Sequence, residues 1–309
     1  MRKHKKLKVM LTLTLLIGSM SLLYGCGGGG SSATTPGGTT GANGMISGTA
    51  VKGPISGGTV TAYAITNGTT GMQLANGTTD SQGHFNISIG DYAGSIMLQM
   101  SGGTYVDEAT GVTVSMAPGD VMTAVMTTLS TGSTVTGIQV TPLTSMAQAM
   151  ANNMTGGMMD ANITAANTAV GNYFMVSDIL HTEPMNAAAS GSGSTATTDM
   201  KNYGVAIAAM SQYAHTTSMT DPAALISAMM QDASDGVMNG TMGGTSITMG
   251  GMGGGMMGGS GTTMQSTAGG SGLATAMTTF MGSTMNKSGL TVADMQTLIN
   301  QLNSSNGTL

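Results

Sequence analysis

Four methionines, Met249, Met252, Met256 and Met257, stand in the stretch MGGMGGGMMGG (249–259), with Met242 and Met264 on either side. Thioethers are soft ligands, and spacings of three or four residues on a pliable backbone suit Cu(I). The chain holds 33 methionines, however, and many of them (Met210, Met229, Met277, Met281, Met295) take places where leucine would pack a helix. A general exchange of Leu for Met accounts for the excess without a ligand, and no histidine lies near the stretch in sequence. That balance favours packing over copper; reversible sulfoxide formation is a third role for exposed methionines.

Oxygen and nitrogen donors cluster in three places. Asp178, His181 and Glu183 fall within seven residues before Pro184; Asp232 and Asp235 close a helix-like segment before Gly236; Asp107 adjoins Glu108. Each has a plain structural account. The first is a helix end running into a pre-proline loop, where His181 favours the dipole. The second is a helix C-terminus. The third is a solvated acidic loop, since calcium requires several more oxygens at set spacing. His84, next to an inward-pointing Phe85, is expected to face solvent. GxSxG, Walker, HExxH and EF-hand patterns do not occur. The expectation is a chain without catalytic residues and without a cofactor, copper being the alternative.

Period-two patterning runs through Ile46–Val51, Gly58–Ile65, His84–Ile89 and Ser95–Ser101, divided by turns containing Gly, Asn and Asp. From Thr141 the period becomes helical. Thr141-Pro142 has the form of an N-cap followed by an N1 proline, opening a helix to about Asn153. Further helices are expected over Ile163–Phe174, from a cap at Asp199, from Asp221-Pro222, over Leu273–Met285, and after Thr291, where Asp294 takes the third place of a capping box. Asn239–Gly272, poor in anything to bury, is expected to be a long mobile loop. The fold class is therefore α+β: an N-terminal antiparallel β-sandwich over 45–140, then an irregular helical bundle over 141–309.

The order of the β segments resembles the carboxypeptidase regulatory-like, transthyretin-like domain. Residues that carry the resemblance are ISGTAVKGPISGGTVTAYA (Ile46–Ala64) and TTDSQGHFNISI (Thr78–Ile89). Asp80 and Gly83 suit a turn that requires a side-chain acceptor and a positive φ, with Phe85 pointing inward. SGGTYVDEATG (Ser101–Gly111) and Thr141-Pro142-Leu143-Thr144 extend the likeness to bacterial surface lipoproteins with such a β domain followed by helices. The resemblance implies a non-catalytic surface module.

The N-terminus agrees with that setting. Met1–Lys8 is basic, Val9–Leu23 is an uncharged apolar run too short for a comfortable membrane span, and Leu23-Tyr24-Gly25-Cys26 follows. This resembles the lipobox of bacterial lipoproteins, with Tyr24 where a small residue usually stands. The likeness implies a signal peptide over 1–25, diacylglyceryl on the Cys26 thiol, cleavage before it, and membrane attachment through acyl chains. An uncleaved anchor, or a secreted protein with one stray thiol, is the alternative. Gly27 rather than Asp after the cysteine points, for a Gram-negative host, to the outer membrane, and residues 26–44 are expected to form a flexible Gly/Ser/Thr tether.

Composition excludes several functions. Beyond Cys26 there remain Lys52, Lys201 and Lys287 against thirteen acids and no arginine, a formal charge of about −10. Such a surface repels phosphate backbones, so nucleic-acid binding is excluded. A single cysteine precludes internal disulfides and Cys-based zinc or iron–sulfur sites. An envelope protein or glycan is the remaining type of partner, its identity open. Few aromatics suit a spacer or binding module better than a deep catalytic pocket.

Overall fold

Alternating apolar residues build the first strands. The computed structural model describes residues 43–117, 119–219, 221–249 and 262–309. Strands β1 (Gly44–Ala50), β2 (Thr59–Thr66), β3 (Thr69–Thr78), β4 (His84–Gly90), β5 (Gly94–Ser101), β6 (Thr104–Val106), β7 (Thr113–Ser115), β8 (Val121–Leu129) and β9 (Thr134–Val140) come first. Four of them fall within two residues of the expected segments.

The strands β4-β1-β9 form a three-stranded sheet, and β3-β2-β5-β8 a four-stranded one. Pairing is antiparallel except between β1 and β9, which run parallel. That departs from the all-antiparallel expectation. The chain between β1 and β9 is long enough for the crossover that parallel neighbours require. Ile46, Ile87 and Ile138 of the smaller sheet share one apolar cluster with Val60, Leu98 and Met122 of the larger.

β5 and β8 are apolar on both faces, with Ile96, Met97 and Leu98 buried in succession. Period two sends alternate side chains to opposite sides of a sheet, so a second layer must cover the back. Helices supply it. Met97 and Val125 pack in the same cluster as Leu143, Val170 and Phe174. Residues 41–309 thus form one compact unit.

Six α-helices lie among the described residues: α1 (Pro142–Asn153), α2 (Asp160–Tyr173), α3 (Thr198–Thr216), α4 (Ala224–Ala233), α5 (Leu273–Met281) and α6 (Gln296–Ser304). α1 opens as expected. The Thr144 N–H donates to Thr141 Oγ1 at 3.2 Å, and the Thr141 N–H donates to Thr144 Oγ1 at 2.9 Å. Thr291 and Asp294 form the second capping box.

Asp199 does not cap α3. Thr197 does, accepting from the Met200 N–H, while the Asp199 carboxylate lies within the first turn and accepts from the Ser177 N–H at 2.7 Å. Asp221 accepts from the Ala223 N–H, so its turn precedes α4 instead of capping it. α5 ends at Met281 with Gly282 as its cap, short of the expected Met285.

The expected long loop over Asn239–Gly272 is structured wherever it is described. Thr241–Met242 pairs with Thr245–Ser246, Thr248–Met249 pairs with Thr262–Thr263, and Ala268–Gly272 forms a π-turn into α5. Burial of Ile247, Met249, Met264 and Ala268 in the helical core anchors these pieces.

Candidate functional site

The β1–β2 connection carries Lys52 in an otherwise apolar sequence, Ala-Val-Lys-Gly-Pro-Ile. A Val51–Pro54 bridge folds it back on itself. Gly53 has φ +71°, and a Cβ there would stand 2.5 Å from the Val106 carbonyl oxygen, so only glycine lets this turn lie against β6. The turn sends Lys52 inward, leaving the residue 1% exposed.

Lys52 Nζ donates to Glu108 Oε2 at 3.2 Å and to Ser211 Oγ of α3, and lies 3.8 Å from Asp107 Oδ2. The Ser211 hydroxyl donates in turn to Glu108 Oε2. The Tyr105 ring covers the ammonium at 5.3 Å, a cation–π contact. Asp107 Oδ1 accepts from the Ala109 and Thr110 N–H groups and the Thr110 hydroxyl, which fixes the turn after β6. Asp107 Oδ2 has no hydrogen-bond partner among the described residues. Burial, reinforced by the Asp107 and Glu108 charges, drives the Tyr105 phenol far upward, so it stays neutral.

The acidic pair is therefore not a solvated loop: Asp107 is 1% and Glu108 5% exposed. Carboxylates with so little water require a cation, and Lys52 is that cation. Beside this cluster lies a cavity of about 260 Å³, whose lining includes Val51, Pro54, Glu108, Glu183, Met200 and Ile207. Ser211 is wholly buried and does not line it.

The remaining acidic residues are turn-builders. Asp178 Oδ1 accepts from the Leu180 and His181 N–H groups, and its Oδ2 lies 2.8 Å from His181 Nδ1, both side chains half exposed. Glu183 leaves this pair and joins the wall of the cavity that Glu108 also lines. Asp232 Oδ1 accepts from the Asn239 and Gly240 N–H groups, and Asp235 from those of Val237 and Gly243. Both hold the chain after α4. Asp80 accepts from the Gln82 and His84 N–H groups, Gly83 has φ +84°, Phe85 is buried and His84 is exposed. No group of three or more His, Cys, Asp or Glu side chains among the described residues is placed to hold a metal ion.

Met249 is 2% exposed and packed in the helical core, as is Met264, while Met242 is exposed. Met252, Met256 and Met257 lie outside the described residues, as does Cys26. The Lys52 cluster escaped the sequence reading. Its one local signal is a lysine, among very few, inside an apolar run.

Burial raises Asp232 to about 6, and burial together with the Asp221 charge raises Asp120 to about 6. A carboxyl whose folded pKa exceeds its unfolded value stabilises below the unfolded pKa, and that contribution is lost as pH rises through the folded one. The window here is about pH 4 to 6. Asp80, Asp160 and Asp294 are lowered and act in the opposite sense, but only below their ordinary value. The melting temperature is accordingly expected to rise on acidification from pH 8 to pH 5. Asp232→Asn, which retains an acceptor oxygen, should raise stability at pH 8 and remove about half of the dependence, on the order of 1 kcal/mol between pH 8 and pH 5. Calorimetric scans across that range test this; a melting temperature that falls towards pH 5 contradicts it.

Compared with known proteins, the chain matches no family model, and no curated protein matches its sequence.

Proposed function

We propose that this chain is a non-catalytic, lipid-anchored lipoprotein of the cell envelope. In this reading Cys26 carries the acyl chains that hold it in the outer membrane, residues 26–44 are the tether, and the folded body is a binding module. Its two sheets are taken as a transthyretin-like sandwich, a reading supported by their common apolar cluster and by the Asp80–Gly83 turn before Phe85. The single observation carrying the binding role is the cavity beside Glu108: recognition groups line it, while the hydrogen-bonded Ser211–Lys52 pair is shut away from it. A hydroxyl and an ammonium that no substrate can reach favour recognition over turnover.

Anchoring is tested in cells. Radiolabelled palmitate should enter the wild type, and Cys26→Ser should abolish both labelling and sedimentation with membranes. Unchanged fractionation of Cys26→Ser would remove the anchor from this reading.

A further inference from the structure

We propose that the cavity beside Glu108 binds a small alkylammonium ion, its head on the Glu108 carboxylate and its alkyl body against the apolar wall. This rests on the binding-module reading and names the ligand class.

Charge comes first. Lys52 faces both Asp107 and Glu108, so the cluster carries one negative charge in excess, with all three side chains 6% exposed or less. The fully buried unpaired oxygen is Asp107 Oδ2, away from the cavity wall, so the excess charge is felt in the cavity through Glu108 and favours a cation there. The other described lysines, Lys201 and Lys287, are not in the cavity wall.

Geometry selects the head group. Glu108 spends Oε2 on both Lys52 and Ser211. The hydrogen bonds of Glu108 among the described residues all use Oε2, Oε1 is not one of the fully buried unpaired atoms, and Glu108 is part of the cavity lining, which leaves Oε1 for a guest. One available oxygen cannot satisfy the two-pronged fork of a guanidinium, whereas an ammonium donates as a compact point charge. Glu183 brings a second carboxylate to the same wall, and Asn186 and Thr195 add neutral polar groups. A divalent metal is poorly served by two carboxylates, because calcium takes six to eight oxygens. An anion would meet both carboxylates and no arginine.

Size and polarity select the body. Val51, Pro54, Met185, Ala196, Met200 and Ile207 make much of the wall apolar. About 260 Å³ falls below the roughly 300–1,000 Å³ typical of drug-sized sites, which suits a chain of a few carbons.

The experiment compares n-butylammonium, n-butanol and n-butyrate on the purified full-length chain, by calorimetry and thermal shift at constant ionic strength. Butylammonium should bind at least about tenfold more tightly than the other two and alone raise the melting temperature. Glu108→Gln leaves Lys52 balanced by Asp107 and should lose that preference. Met200→Trp, which fills the cavity and keeps every carboxylate, should abolish binding and covers the case in which Glu108→Gln fails to fold. Equal binding of the three probes overturns the ammonium assignment while leaving the cavity as a binding site. Failure of all three to bind overturns the assignment and the cavity's role together, and the anchor is judged separately by Cys26→Ser. Binding that survives Met200→Trp places the ligand elsewhere and overturns the proposal.

Discussion

Lys52→Met is expected to cost about 3–5 kcal/mol of folding stability at pH 7.5, enough to unfold much of the population. The substitution keeps roughly the volume of the side chain, so little of the loss comes from packing. It comes from Asp107 and Glu108, which would sit together with no cation and almost no water. Removing one member of a buried ion pair leaves the full desolvation cost of the others, and here two charges of like sign remain. The cation–π contact with Tyr105 and the hydrogen bond to Ser211 disappear too.

Two features separate this from general damage. Acidification should recover part of the loss, since protonating a carboxyl removes the unpaired charge. Adding Glu108→Gln to Lys52→Met should also recover part at neutral pH, because only one charge is then left. Lys287→Met, at an exposed site, should change stability by less than about 0.5 kcal/mol. Urea titrations at pH 7.5 and pH 5 read all of these. A Lys52→Met protein within about 1 kcal/mol of wild type would show that the buried ion cluster does not hold the turn.

What could be read from the sequence was local. The Thr141-Pro142 helix start, the Thr291–Asp294 box and the Asp80–Gly83 turn each need only residues a few places apart, and the structure places them as expected. Asp199 and Thr197 both suit a cap, and the choice between them depends on Asp199 bonding to Ser177 far along the chain. β3 lacks an apolar period because most of its residues face solvent, although Asn67-Gly68, both at positive φ, is the turn that starts its hairpin.

The site itself was hidden. Lys52 meets Glu108 across 56 residues and Ser211 across 159, distances at which no spacing rule operates. Glu183 reads in sequence as a companion of Asp178 and His181, yet the turn at Asp178 sends it to a different wall. Met249 shows the converse case: the glycines around it suggest an exposed loop, and contact with the helical core is what buries it.

The second large effect is expected at glycines that helix propensity would mark for improvement. Gly204 lies inside α3, where alanine is ordinarily better by about 1 kcal/mol. A Cβ at Gly204 would nonetheless stand 1.9 Å from the Met185 carbonyl oxygen. The clash is with backbone, so no side-chain rotation relieves it. Moving that segment away strains the bond from the Met185 N–H to the Met200 carbonyl and opens the wall that Met185 and Gly204 both contribute to the cavity. Gly204→Ala should therefore lose about 3 kcal/mol net, a fall in melting temperature of roughly 6–12 °C for a body of this size. Alkylammonium binding should weaken with it. Gly68→Ala makes the same point in the sheet layer, where the β2–β3 hairpin tip meets the α1–α2 loop. Its Cβ would stand 1.9 Å from the Gly156 carbonyl oxygen, at φ +74° and beside the bond from the Met158 N–H to the Gly68 carbonyl. Were Gly204→Ala to melt above the wild type, as helix propensity alone would have it, the close approach of α3 to the Met185 strand of chain would not exist in solution.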